Sequence, residues 1–307
     1  MLIHGLGVAS SMFSIDTIDT NLLEHLVEHG YDVWLLDYRS SIHLPAALTQ
    51  YTADMIAKFD HPRAVEEVCR LTGAASIQVV AHCYGALTFT MALLLGLQGV
   101  RSVVLSQISA HMITPPLMGF KSRLHTPETL EKLGIGTVDA SPDSSAGWTN
   151  HVLDAALRLY PVEFEEQCLS TVCRRITFFY SPLYEHDQLN KMTHDALGEL
   201  FGEASITSFK GLTQMVRLRQ VVDEHGADTY LPHLDRMALP IRFIHGAENA
   251  CYLPESTELT FKALCERNDP SLYSRVVFPE YGHIDCIFGQ SAARDVYPAI
   301  VEHLDAT

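Results

Sequence analysis

Apolar positions along the chain switch between two rhythms. Short β-rich apolar runs over 2–4, 31–38, 77–81, 100–106, 240–245 and 273–278 predict strands. Helical spacing predicts helices over 21–29, 53–71, 85–97, 254–267 and 291–304, the first stopped by Gly30. Strands alternating with helices imply an α/β fold with a mostly parallel sheet, covered by helices on both faces. The stretch 110–235 breaks this rhythm. It is helix-rich and carries Phe120, Trp148, Tyr160, Phe164, Phe178, Phe179, Tyr180, Tyr184, Phe201 and Phe209. It reads as a helical cap inserted between two strands, which leaves 1–109 and 236–307 as the core domain. Most of these aromatics belong to the cap interior, and the rest are expected to line an apolar pocket.

Composition narrows the possibilities. A chain of 307 residues, 47% hydrophobic, can bury one large core with a cap. No apolar run is long enough to span a membrane. The opening Met1-Leu2-Ile3-His4-Gly5 lacks the basic start of a signal peptide, so a cytoplasmic protein is expected. A formal net charge of −16 argues against nucleic acid and anionic membranes as partners. The cysteines, Cys69, Cys83, Cys168, Cys173, Cys251, Cys265 and Cys286, are odd in number and scattered. They form neither a disulfide framework nor a CxxC pair, so no metal is expected and most read as buried, inert thiols.

Cys83 differs by its context. In Ile77-Gln-Val-Val-Ala81-His-Cys83-Tyr-Gly85-Ala a strand runs through small–x–nucleophile–x–small into a helix. A nucleophile at so sharp a turn needs small residues two positions away, here Ala81 and Gly85. The turn also sets the side chain at a helix N-terminus, where the dipole favours a thiolate. His4-Gly5-Leu6-Gly7 follows the first strand and would offer the Leu6 N–H to an oxyanion, with the Tyr84 N–H as second donor. The competing dinucleotide fingerprint over Gly5-Leu-Gly7-Val-Ala-Ser10 ends in a serine and lacks an acidic residue at the proper distance.

A base is expected after the last strand, where Tyr281-Gly282-His283-Ile284-Asp285 stands. The residue that orients it should follow the strand over 240–245. There His245-Gly246-Ala-Glu248-Asn249 offers Asn249 where an aspartate is usual, with Glu248 as the alternative. A thiol can pair with imidazolium in advance, so an amide that only orients the ring can suffice. The two departures, at Cys83 and at Asn249, are therefore mutually consistent.

These segments resemble the α/β-hydrolase superfamily and, within it, the acid-lipase-like branch. The resemblance rests on His4-Gly-Leu, Gly30-Tyr-Asp-Val-Trp-Leu, Asp60-His-Pro and His283-Ile-Asp-Cys-Ile-Phe-Gly289. Ala81-His-Cys-Tyr-Gly and Gly99-Val-Arg-Ser-Val-Val are similar to the hydrolase-like domain fused behind GMC-type (cholesterol-oxidase-like) flavoproteins. No flavin-binding segment is evident, so no cofactor is implied. The acid lipases have serine and aspartate at the positions of Cys83 and Asn249, while dienelactone hydrolases and polyhydroxyalkanoate synthases accommodate an elbow cysteine. Most members have two strands ahead of the HG turn, so N-terminal strands appear trimmed or belong to a preceding domain. The resemblance implies hydrolysis of an ester, lactone or thioester of a small apolar acyl substrate through an acyl-Cys83, with His283 as base. An acyltransferase with the same intermediate, or a non-catalytic ligand-binding domain, is the alternative. An uncovered edge strand also raises the expectation of a homo-oligomer or of docking against a preceding domain.

Overall fold

The computed structural model describes residues 1–116, 136–140, 168 and 170–307. Phe120, Trp148, Tyr160 and Phe164 of the expected cap lie outside the described residues. Six strands form the main sheet: β1 (Leu2–Ile3), β2 (Leu35–Leu36), β3 (Ile77–His82), β4 (Val100–Ser106), β7 (Ile241–Gly246) and β8 (Tyr273–Phe278). Their order is β2-β1-β3-β4-β7-β8, with every neighbouring pair parallel. This is the parallel sheet that the strand–helix alternation predicts, in the α/β-hydrolase fold that the resemblance implies. All six strands fall within 1–109 and 236–307. The central strand β3 is buried at every position, as expected where helices cover both faces. The run over 31–38 pairs only at Leu35–Leu36, at one edge of the sheet.

Helices cover the sheet for locally readable reasons. α1 (Leu22–Glu28) starts with a capping box, in which Asn21 and Glu24 each bond the other's backbone N–H. The region over 53–71, expected as one helix, divides into a short turn, a π-turn at Ile56–Asp60 and α2 (His61–Thr72). Gly73 ends α2 in the left-handed conformation. α3 (Tyr84–Leu94) leaves the elbow directly and is buried along its whole length. Its weak amphipathicity follows from that position. α7 (Glu255–Arg267) connects β7 to β8, and α8 (Tyr297–Asp305) closes the chain.

The insertion contributes α4 (Thr171–Phe179), α5 (Lys191–Leu200) and α6 (Ile206–Leu218). It also contributes an antiparallel pair absent from the expected helical cap: β5 (Thr137–Asp139) with β6 (Glu203–Ser205). Three residues per strand are too few for a period-2 signal to stand out in the sequence. No helix among the described residues is long and apolar enough to cross a membrane.

Two glycines let strand ends meet the loops that carry the site. A Cβ at Gly85 would sit 2.4 Å from the His4 carbonyl oxygen. One at Gly246 would sit 1.9 Å from the Gly282 oxygen and 2.2 Å from the Tyr281 oxygen. Both obstacles are backbone, which yields less readily than a flexible side chain. Gly246→Ala is therefore expected to lower stability by about 2 kcal/mol or more, within the usual range for overpacking. Urea unfolding measures it, and a wild-type midpoint in the variant would show that the two loops can separate freely.

Candidate active site

Cys83 sits between β3 and α3 with φ 54° and ψ −124°, a region that costs a non-glycine residue about 1–3 kcal/mol. The strain is held from both sides. The Cys83 N–H donates to the Ser106 carbonyl on β4, and its carbonyl accepts from the Leu87 N–H. Gly5 allows the first loop to close on Cys83, since a Cβ there would lie 3.1 Å from Cys83 Cβ. The backbone N–H groups of Leu6 and Tyr84 point at that sulfur. The expected pair of oxyanion donors is thus gathered at the expected place. The loop itself is braced by Tyr38, which stacks on His4 and donates to its carbonyl.

His283 is buried in the loop after β8. One of its ring nitrogens, one of the His82 ring nitrogens and Cys83 Sγ lie within 4.8 Å of one another. His283 Nε2 has no hydrogen-bond partner. The thiol and the ring are therefore neighbours without a formed bond, looser than hydrogen-bond reach. Asn249, also buried, lies on the other side of the ring. Glu248 is exposed and joins this corner through its backbone N–H, which donates to the Tyr281 carbonyl. Of the two alternatives, the geometry brings Asn249 to His283.

The orientation of the Asn249 amide decides what the ring can do. Its Oδ1 accepts from the backbone N–H groups of Cys251 and Tyr252, each at 2.9 Å. Its Nδ2 donates to Gln107 Oε1 at 2.9 Å and faces His283 Nδ1 at 3.0 Å. Gln107 Oε1 also accepts from the Gly246 N–H, so it cannot turn away without loss. An amide nitrogen only donates, so Nδ1 of His283 must accept. The neutral ring then carries its proton on Nε2, toward Cys83.

Electrostatics point the same way. Burial pushes the Cys83 thiol from 9.0 up to about 12, against the lowering effect of the Tyr84 and Leu6 N–H groups. Burial, together with the nearby His82 and His245, holds His283 well below its ordinary value. The helix N-terminus contributes about 0.3–2 kcal/mol, roughly one pK unit, and does not offset that rise. Both directions favour a neutral thiol beside a neutral imidazole over the expected thiolate–imidazolium pair.

Sequence reasoning missed three further residues. His82, inside the elbow, bonds Ser106 Oγ through Nδ1 at 3.0 Å and meets the His283 ring edge-on. Gln107 stands at positive φ after β4; a polar residue closing an apolar strand was its only signal. Tyr180 brings a buried hydroxyl over the first loop, where a Cβ on Gly7 would lie 1.8 Å from it. The cap segment beside it grips the catalytic loops. The Leu183 carbonyl accepts from the N–H groups of both His283 and Ile284, and Asp285 Oδ2 accepts from the Glu185 N–H. The thiols are not all scattered either. Cys168 and Cys173 converge with His186 and His194, a cluster that their spacing in the sequence did not announce.

A family model described as alpha/beta hydrolase fold matches residues 1–133. A Schizosaccharomyces pombe protein named "Probable lipase" is 24% identical over 331 residues, covering 99% of this chain and 67% of that protein. A Paleococcus ferrophilus monoacylglycerol lipase structure aligns with TM-score 0.57 at 16% identity, covering 98% of this chain and 93% of that one. A hydrolase structure from Pseudomonas aeruginosa gives TM-score 0.57 at 12% identity, covering 99% and 88%. The chain is an α/β-hydrolase-fold protein with a lipase-like relative.

Two outcomes follow. First, His283 should show a protonated Nε2 and an unprotonated Nδ1 in ¹⁵N-correlated NMR at neutral pH; an Nδ1–H signal would mean that the amide is turned the other way. Second, stability should fall on acidification. Burial depresses His4 and His245 to about 4 and His61 and His82 to about 3, and it also holds His283 well below its ordinary value. The unfolded chain takes up these protons near 6.5 while the folded chain resists, so stability falls as pH drops from about 6.5 toward 4. Asp285, pushed up to about 7 by burial, acts oppositely: its contribution, present at low pH, is lost as pH rises toward 7. Five histidines outweigh one carboxyl. Tm measured from pH 7 to 4.5 should decline steadily, and a flat or rising profile would contradict the buried neutral set.

Proposed function

We propose that the protein is a lipase- or esterase-like hydrolase in which Cys83 carries the acyl group. The reading rests chiefly on the strained elbow, with the Leu6 and Tyr84 N–H groups converging on the Cys83 sulfur beside His283. In the reaction, sulfur adds to the acyl carbonyl carbon of an ester, lactone or thioester. The two backbone N–H groups stabilise the oxyanion. The thiol proton passes through His283 Nε2 to the departing alkoxide or thiolate as its bond to the acyl carbon breaks. Water, deprotonated by the same nitrogen, then cleaves the thioester and restores the thiol. The lipase-like relative and the apolar residues of the cap support an apolar acyl substrate.

The first proton transfer needs Nε2 empty, and the Asn249 amide favours the opposite tautomer. In a serine protease the corresponding change of aspartate to asparagine costs about 10⁴ in kcat for this reason. A thiol surrenders its proton more readily than a hydroxyl, so part of that loss is recovered. Slow turnover of simple esters and faster turnover of activated esters or thioesters are the expected pattern. The neutral, locked site also favours a second reading: a hydrolase-like domain that binds an acyl ligand without turnover.

Intact-protein mass spectrometry after mixing with p-nitrophenyl esters and acyl thioesters separates the two. An acyl adduct that maps to Cys83 and disappears in Cys83→Ala supports the enzyme. Asn249→Asp, which would accept from Nδ1–H and free Nε2, should raise kcat/KM by about tenfold or more. Activity unchanged in Cys83→Ala would sink the Cys83 mechanism, and neither turnover nor an adduct with any acyl donor would leave the binding domain.

A further inference from the structure

Away from the elbow, four side chains of the cap meet. Cys168 precedes α4, Cys173 lies in its first turn, His186 opens a 3-10 turn and His194 lies on α5. Their ligand atoms all lie within 4.8 Å of one another. His194 Nε2 is 3.1 Å from Cys173 Sγ and 3.3 Å from Cys168 Sγ. The rings of His186 and His194 are 5.5 Å apart.

We propose that Cys168, Cys173, His186 and His194 form a structural zinc site.

Three observations carry this. The donor set is two sulfurs and two imidazoles, which suits zinc and excludes magnesium and calcium, whose ligands are oxygens. The distances fit: a tetrahedron with Zn–S about 2.3 Å and Zn–N about 2.0 Å has edges of roughly 3.3–3.8 Å, close to the sulfur–nitrogen distances here. The hydrogen-bond count also favours a cation. Two thiols and two imidazoles at this range can pair with one another only singly, whereas a single ion would take all four as ligands.

The surroundings are those of a metal site. Tyr184 Oη donates to Cys173 Sγ at 3.0 Å and the Ser170 N–H donates to Cys168 Sγ at 3.4 Å; such donors stabilise thiolate ligands. His194 Nδ1 faces Asp195 Oδ1 at 3.8 Å, the outer carboxylate that commonly orients a ligating histidine. Four protein ligands close the coordination sphere, so the ion's role is structural rather than catalytic. The spacing Cys-x4-Cys-x12-His-x7-His hid it. The ion would fasten α4, the 3-10 turn and α5 together across Leu183, whose carbonyl holds the His283 loop.

The test uses the full untagged chain, purified, reconstituted with zinc and passed through a desalting column. Elemental analysis should find about one zinc per chain, the content of a single closed site. Cys168→Ser and Cys173→Ser should each retain less than roughly a tenth of that, consistent with the loss of a ligand thiolate. Cys83→Ser should retain the full amount, which separates this cluster from the elbow. Should the ligand variants fail to fold, cobalt(II) added to metal-stripped wild type decides the matter. A tetrahedral site with thiolates gives intense d–d bands and sulfur-to-cobalt charge transfer. Folded wild-type protein that keeps no zinc and gives no such spectrum would overturn the proposal. So would folded Cys173→Ser with wild-type zinc content, or a Cys168–Cys173 disulfide in protein that binds no zinc once reduced.

Discussion

The Asn249 amide has one orientation available to it. Turning its oxygen toward His283 would strip the Cys251 and Tyr252 N–H groups of their acceptor. Each buried unpaired donor costs about 1–3 kcal/mol, whereas the bond to the ring contributes about 0.5–1.5 kcal/mol. Gln107 adds a further constraint, because its Oε1 takes Nδ2 of Asn249 on one side and the Gly246 N–H on the other. The amide is thus set by the strand ends β4 and β7 and by the turn after β7, not by the ring it faces. The ring conforms to the amide, and the tautomer of His283 follows from backbone hydrogen bonding two and three residues past Asn249.

A site of this kind holds no ionic pair. Carboxylate, thiolate and imidazolium would each be stabilised by an opposite charge, and the immediate neighbours of His283 are an amide, a neutral thiol and two further histidines. Desolvating a lone charge here would be costly, so the groups stay neutral instead. The cysteine at the elbow makes sense in that setting. A serine would need a strong base with a stabilised imidazolium, while a thiol can react with a weaker one. On the proposed reading, the two departures from the serine–histidine–aspartate pattern are one adjustment, made at both ends of the same ring.

Much of this was legible in the sequence, for definite reasons. β4 and β8 match their expected bounds, and β1, β3 and β7 were located with small shifts at their ends, because a buried parallel strand is a compact apolar run, while the run over 31–38 narrows to Leu35–Leu36. Cys83, His283 and Asn249 were legible from their places after β3, β8 and β7. The direction of the Asn249 amide was not, because it depends on the backbone N–H groups of Cys251 and Tyr252 in a turn with no sequence signature. Nor was the charge state of Cys83. Its position argued for a thiolate, but burial from loops distant in sequence, Leu6 and Gly5 among them, outweighs the helix terminus. Gln107 and Tyr180 were hidden because each acts through a neighbour far away along the chain.

The segment inserted between β4 and β7 also braces the loops of the candidate site. Its segment over 180–185 is bonded to both catalytic loops: Ser181 Oγ donates to the Ala250 carbonyl, next to Asn249, and Leu183 and Glu185 hold the loop of His283 and Asp285. Ser181 takes a φ of 137°, a backbone state that non-glycine residues adopt only under constraint from both sides. The far end of this segment reaches the Cys168–Cys173–His186–His194 cluster through Tyr184, whose hydroxyl bonds Cys173. Order in the cluster and order in the His283 loop are therefore joined by a handful of residues. Leu183 is the shared point, since one carbonyl oxygen satisfies two N–H groups of the loop that presents the ring to Cys83. Loosening the cluster would release that carbonyl before it disturbed the sheet. His283 would lose its place while Cys83, fixed between β3 and α3, kept its own.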